Sequence, residues 1–219
     1  LSFKDKIFSL DYKLLFLILL LGVISFFAMY STERGNFGYY TQSHVYRFSV
    51  FFVLLIVVSL ININFYHKFS YVFYVGVLIL LFGVDMFGVT ASGSKRWINL
   101  FVFNLQPSEL MKITLIMLLA RYYSKIPFND VNRIKFMILP TIALFIPVIL
   151  IITQPDLGTA LLIAMGGLSV IWLTGFRVKF FLFSSIVFIC SMPVVISFLK
   201  PYQKARILTF LNPERDPLG

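Results

Sequence analysis

The side chains best suited to chemistry lie within one stretch, Gly93 to Lys112, GSKRWINLFVFNLQPSELMK. Lys95, Arg96 and Trp97 stand together in it. Two cations beside an amphipathic ring can hold a lipid phosphate or dock a partner at a membrane surface. The stretch then runs through Gln106-Pro107-Ser108-Glu109 to Lys112. Glu109 and Lys112 are three residues apart, which puts them on one helix face. Pro107 fits a first helical position, and Glu109 in the first turn favours the helix dipole. A charge pair carried into an apolar run is costly unless it faces a bundle interior. The pair therefore reads either as a helix start with an internal ion pair or as the polar lining of an outward cavity. In the second case Lys112 meets an anionic head group.

Two further polar islands interrupt the apolar sequence. Gln154-Pro155-Asp156-Leu157-Gly158-Thr159 carries an acid suited to a helix N-terminus and a glycine that permits close packing. Lys200 to Gly219, KPYQKARILTFLNPERDPLG, places Gln203, Lys204 and Arg206 before a small apolar run. That pattern reads as a basic amphipathic segment lying in the membrane interface, or as a solvated basic loop. The single cysteine, Cys190, excludes an internal disulfide, and no Cys/His metal spacing occurs. His44 and His67 flank helices and read as interfacial side chains. No G-x-S-x-G, H-E-x-x-H, P-loop or Rossmann glycine pattern is present.

The elements that must position these residues are membrane spans. The chain is 59% hydrophobic and 13% charged, with mean hydropathy +0.92. A soluble domain carries about 25% charged residues. The fold class is therefore all-α and polytopic, a single membrane-embedded helical domain over residues 1–219 with no soluble domain. A span needs about 20 apolar residues, fewer where the bilayer thins. The runs predict seven: Leu14–Tyr30, Val45–Ile61, Tyr71–Phe87, Ser108–Tyr123, Ile134–Thr153, Leu157–Leu173 and Phe180–Leu199. The first follows Lys4, Lys6 and Lys13 and has no cleavage site, so it reads as a retained anchor. Pro140 and Pro147 fall inside the fifth span, which requires neighbouring groups to satisfy freed carbonyls.

Net charge is +10, from 19 Lys and Arg against 9 Asp and Glu. The cations form no stripe interleaved with exposed aromatics, which argues against nucleic acid. They mark loops and touch anionic membrane lipids instead. With the N-terminus in the cytoplasm, the segments before Lys200 place ten cations inside and five outside. The positive-inside rule thus favours that orientation. Arg34, Arg47, Lys95, Arg96 and Lys112 are then on the unfavoured side, as is the cluster from Lys200 onward. Cations there are candidates for holding an anion. The residues alone leave enzyme and transporter open.

The islands, in this order, resemble the shape, elongation, division and sporulation (SEDS) family, with its RodA and FtsW branches. The carriers are Gly93-Ser94-Lys95-Arg96-Trp97, Gln106-Pro107-Ser108-Glu109 with Lys112, Gln154 to Thr159, and Tyr202-Gln203 through Arg206 to Asn212-Pro213 and Asp216-Pro217. The last two look closer to RodA. The resemblance implies a fold of about ten spans in the cytoplasmic membrane of a bacterium. It implies a peptidoglycan glycosyltransferase that polymerises lipid II on the outer face, with a class B penicillin-binding protein as partner. It places the catalytic aspartate in the outer loop after span seven, in a His-Thr-Asp-Phe context that this chain stops short of. The protein is expected to continue beyond Gly219, and no catalytic residue is assigned within it. Lys112, Arg206, Arg96 and Arg47 are the expected pyrophosphate contacts. Glu109, Asp156, Trp97, Lys95, Gln154 and Gln203 are the expected support. A divalent cation, magnesium or manganese, is compatible with the leaving-group chemistry, though nothing in these residues demands one. A lipid flippase or a non-catalytic scaffold for the penicillin-binding protein are the competing classes.

Overall fold

The computed structural model describes residues 3–91, 94–99, 104–154, 156–182, 185–186, 190, 197 and 204. They form two compact units, Leu1–Phe69 and Ser70–Gly219.

The first unit begins with a short helix, α1 (Phe3–Phe8), that the sequence reading did not foresee. Two long helices follow, α2 (Tyr12–Thr32) and α3 (Tyr39–Ser59). At about 1.5 Å per residue, their 21 residues each cover the hydrocarbon thickness of a bilayer. Apolar side chains are exposed around most of α2, and Gly22 is its one buried residue. A helix that is apolar all round faces lipid. The Phe48 ring of α3 lies directly over Gly22, so any side chain there would collide with it. Asp11 caps α2 by accepting the Leu14 N–H at 3.0 Å. Lys6 donates to the Leu60 carbonyl at 3.1 Å, just past the end of α3, where a cation meets the negative pole of the helix.

The turn between α2 and α3 is organised by Glu33. Its carboxylate accepts the N–H groups of Tyr40 and Thr41, both at 3.0 Å, and a short hydrogen bond from the Thr41 hydroxyl. The Thr41 hydroxyl, then these amides, hold the Glu33 carboxyl below its ordinary value against the opposing effect of burial. A carboxylate is thus delivered to the start of α3 from outside that helix, in place of a side-chain cap at Gly38.

The second unit contains most of α4 (Ile63–Phe87), then α5 (Pro107–Tyr123), α6 (Ile138–Thr153) and α7 (Leu157–Leu173). Its core sits among these helices. α5 buries Ser108, Met111, Thr114, Leu115, Leu118, Leu119 and Tyr123, the three- and four-residue spacing of a single face. Its first turn holds Glu109 and its last turn Arg121, each suited to the local pole of the helix. Arg121 lies 4.5 Å from the Tyr71 ring centroid on α4. α7 buries Ala160, Ile163, Gly167 and Ile171 in one stripe. Gly167 lies against side chains of both α5 and α6: a Cβ there would stand 2.5 Å from Leu144 Cδ1 and 3.2 Å from Leu115 Cδ2.

Among the described residues, four of the expected spans form helices long and apolar enough to cross a membrane: Tyr12–Thr32, Tyr39–Ser59, Ile63–Val84 and Ile134–Thr153. α5 and α7 have 17 residues each, about 26 Å of helix. The seventh expected span falls largely outside the described residues.

Pro140 is not an interruption, because it sits in the first turn of α6, where an N–H would lack a helical partner anyway. Pro147 is interior and leaves the Ala143 carbonyl without its donor. The buried Tyr74 hydroxyl of α4 donates to that carbonyl at 2.8 Å. Tyr74→Phe should therefore destabilise the protein by about 2 kcal/mol, the cost of an orphaned buried acceptor. A thermal melt in detergent that matched the parent protein would contradict this role.

The stretch after α4, read from the sequence as a loop, carries a small antiparallel sheet. Its strands are β1 (Val89–Ala91), β2 (Ser94–Asn99) and β3 (Asn104–Leu105), in the order β1-β2-β3. Val89 pairs with Trp97, but Thr90 pairs with Lys95. Arg96 is therefore the extra residue of a β-bulge. On the other side, Ile98 pairs with Leu105 and Asn99 with Asn104, which delivers the chain to Pro107 at the start of α5.

Candidate functional site

Three of the polar islands meet at the end of the bundle where α5 and α7 begin. Asp156 is the N-cap of α7 and accepts the Thr159 N–H at 3.3 Å. It also accepts the Thr159 hydroxyl at 2.9 Å. The expected cap is thus present, and it is only part of what the carboxylate does. Its Oδ2 receives Gln106 Nε2 at 3.3 Å and lies 3.7 Å from Arg96 Nη1. The two charged side chains are 11% and 23% exposed, so the pair is shielded enough to matter. A bulge re-aims a side chain out of the regular ladder. Here the re-aimed residue is the one that reaches Asp156, 60 positions further along the chain.

Gln154 takes a separate part. It is buried and donates from Nε2 to the Leu81 carbonyl at 2.9 Å, tying the end of α4 to the turn between α6 and α7. Trp97 is half-buried on β2, and Lys95 beside it is exposed.

Glu109 and Lys112 form the expected ion pair, at 2.7 Å. Their side chains are 53% and 30% exposed. An exposed pair of this kind contributes at most about 1 kcal/mol. Lys112 is therefore loosely held and open to exchange, whereas Arg96 is committed to Asp156. Arg47 lies on α3 in the other unit and is exposed. Gln203 and Arg206 lie outside the described residues.

Gln106 and Thr159 received no role in the sequence reading, although both stood in the islands. The available signals were a glutamine directly before a helix-starting proline and a threonine three residues after an N-cap acid. Among the described residues, no three His, Cys, Asp or Glu side chains gather as a metal site. Asp156 is already engaged by Arg96, and Glu109 by Lys112. The residues described do not fit a resident divalent cation.

The chain is similar to the peptidoglycan glycosyltransferase MrdB of Escherichia coli K12, 31% identical over 221 residues, covering 100% of this chain and 58% of the relative. It is 30% identical over 181 residues to the probable peptidoglycan glycosyltransferase FtsW of Buchnera aphidicola subsp. Schizaphis graminum, covering 83% of this chain and 51% of that protein. The chain thus spans little more than half the length of these curated relatives. A solved chain from work on the structural coordination of polymerization and crosslinking by a peptidoglycan synthase complex superposes with a TM-score of 0.81. The match is 27% identical and covers 96% of this chain and 61% of that one. The rod shape determining protein RodA of Thermus thermophilus, solved as a mutant, superposes with a TM-score of 0.68 at 25% identity, covering 82% and 58%. The family of cell cycle proteins named for FtsW, RodA and SpoVE matches residues 8–219. The bulged hairpin, the Asp156 hub and the helices around them are therefore features of a membrane protein that belongs to the FtsW/RodA/SpoVE family.

Proposed function

We propose that this chain is part of a peptidoglycan glycosyltransferase that polymerises lipid II into glycan strands, serving cell elongation and shape. The reading places it in the cytoplasmic membrane of a bacterium, with the N-terminus inside and seven spans in this chain. The sheet and the starts of α5 and α7 then face outward. The observation that carries the proposal is the meeting of Arg96, Gln106 and Asp156 at the bundle end where Glu109 and Lys112 enter α5. The names of the relatives support the activity.

In this reading the residues divide the work. Asp156 and Arg96 fix the hairpin over the helix ends. Lys112, weakly paired and partly exposed, can leave Glu109 for a substrate pyrophosphate, since charge-assisted contacts to phosphate are the strong ones. Glu109 keeps the ammonium aimed until then. Arg206, from the outer segment after span seven, supplies a second cation. The reaction is displacement at the donor's anomeric carbon by the acceptor sugar's 4-hydroxyl, with the cations offsetting the charge on the departing pyrophosphate. A carboxylate in the remainder of the protein would take the hydroxyl proton. A class B penicillin-binding protein is the crosslinking partner.

In the full-length protein, Lys112→Ala should lower lipid II polymerisation in detergent by about tenfold, the loss of one such contact of roughly 1.4 kcal/mol. Arg206→Ala should act in the same direction. Folding and copurification with the partner should be retained. Unchanged glycan-chain synthesis by both variants would sink the assignment.

A further inference from the structure

The opposite end of the bundle, away from Asp156, carries a surface that the proposed reaction does not use. Residues 124–137 connect α5 to α6, and residues 174–180 follow α7. The two segments are stapled together. The Arg177 N–H donates to Asn132 Oδ1 at 3.0 Å, and the Phe128 ring packs over Gly175. Gly175 has φ +82° and leaves no room for a side chain beneath the ring. Val131 and Phe176 are buried and seat both segments on the core.

The staple gathers five exposed cations, Lys125, Arg133, Lys135, Arg177 and Lys179. The acid in these two segments is Asp130, which pairs with Arg133 at 3.0 Å. Exposed apolar side chains stand among the cations: Phe128 at 73%, Ile134 at 78% and Val178 at 52%. Beside them an apolar groove of about 480 Å³ runs along α7, lined by Met165, Leu168, Ser169, Trp172, Leu173 and Phe181. Arg177 and Lys179 lie in the sequence between two of its walls, Leu173 and Phe181.

We propose that this end of the bundle is a binding site for an anionic phospholipid. The phosphate rests on the cations of the two stapled segments, and one acyl chain lies in the groove along α7. The occupant is a lipid rather than an acidic protein for two reasons. The segments are short and pinned to the helix ends, which holds their cations at head-group depth instead of projecting them into water. The cations also alternate with bare apolar side chains and adjoin an apolar groove, the arrangement of a membrane interface.

The test uses the full-length protein in nanodiscs containing equal phosphatidylglycerol and phosphatidylcholine, with retained lipid identified by native mass spectrometry. The parent protein should retain phosphatidylglycerol over phosphatidylcholine by at least about fivefold, on the scale expected of juxtamembrane cations. Neutralising four cations (K125Q, K135Q, R177Q and K179Q) should bring the ratio to within about twofold of unity. Ser169→Phe, which fills the groove from an exposed position, should reduce the number of lipids retained. A control with K4Q, K13Q and K68Q should keep the parent's preference. Equal loss in that control would show general charge attraction and overturn the site. So would a parent protein without preference, whatever acidic protein it captures. Unchanged lipid retention by both the four-cation and the Ser169 variants would overturn it as well.

Discussion

Replacing Asp156 with alanine should lower the thermal midpoint of the purified protein by roughly 10 °C, from about 3 kcal/mol of lost stability. Three losses coincide. The N-terminus of α7 loses its cap, since the Thr159 N–H and hydroxyl both lose their acceptor. Gln106 loses the partner that fixes the entrance to α5. Arg96, 23% exposed, is left without its carboxylate in a shielded position. Asp156→Asn should cost less, because an amide oxygen can still cap the helix. The combination Arg96→Gln with Asp156→Asn should cost less than the two single changes added together, by about 1–2 kcal/mol. Strict additivity would mean that the two side chains do not interact, and the hub would have to be abandoned.

Gly167→Leu should be of similar size, a loss of about 3 kcal/mol read as a fall of roughly 6–12 °C in the same melt. Even a first carbon at this position would sit 2.5 Å from Leu144 Cδ1, and a leucine adds three more. Leu115 and Leu144 are both buried, so neither can retreat without disturbing the core. Gly76→Ala on α4 is the comparison, because a Cβ there meets nothing within 4 Å. That change should be neutral or stabilising by up to about 1 kcal/mol through helix propensity alone. If Gly167→Leu and Gly76→Ala melted alike, the three helices would not be packed through Gly167.

Much of this arrangement is local and therefore legible in the sequence. Apolar runs locate α2 to α7 because burial and lipid exposure both demand them. Asp156 as a cap and Glu109 with Lys112 are readable because their partners lie three residues away. What could not be read are the bonds between distant positions. Nothing in the sequence joins Arg96 to Asp156, Tyr74 to Ala143 or Gln154 to Leu81, since each pairing is made by helix packing. The hairpin was hidden for a different reason. Its strands have three, six and two residues, too few for a period-two pattern to stand out. Of the five cations of the stapled segments, Lys125, Arg133, Arg177 and Lys179 fall between the expected spans, and Lys135 at the very start of one. Their convergence needed the Asn132 and Phe128 contacts.

The bulge at Arg96 makes the count of residues in the hairpin as consequential as their identity. Continued evenly from Val89 and Trp97, the ladder would set Arg96 opposite Thr90; the bulge sets Lys95 there instead and leaves Arg96 surplus, with its guanidinium beside Asp156. Losing the Arg96 codon would let the strands pair evenly, Val89 with Trp97 and Thr90 with Lys95, while withdrawing the cation altogether. The hairpin would then be better formed as a hairpin and useless as a clasp. In this chain, spacing is itself a structural character, one that substitutions would leave untouched and a deletion at the bulge would erase.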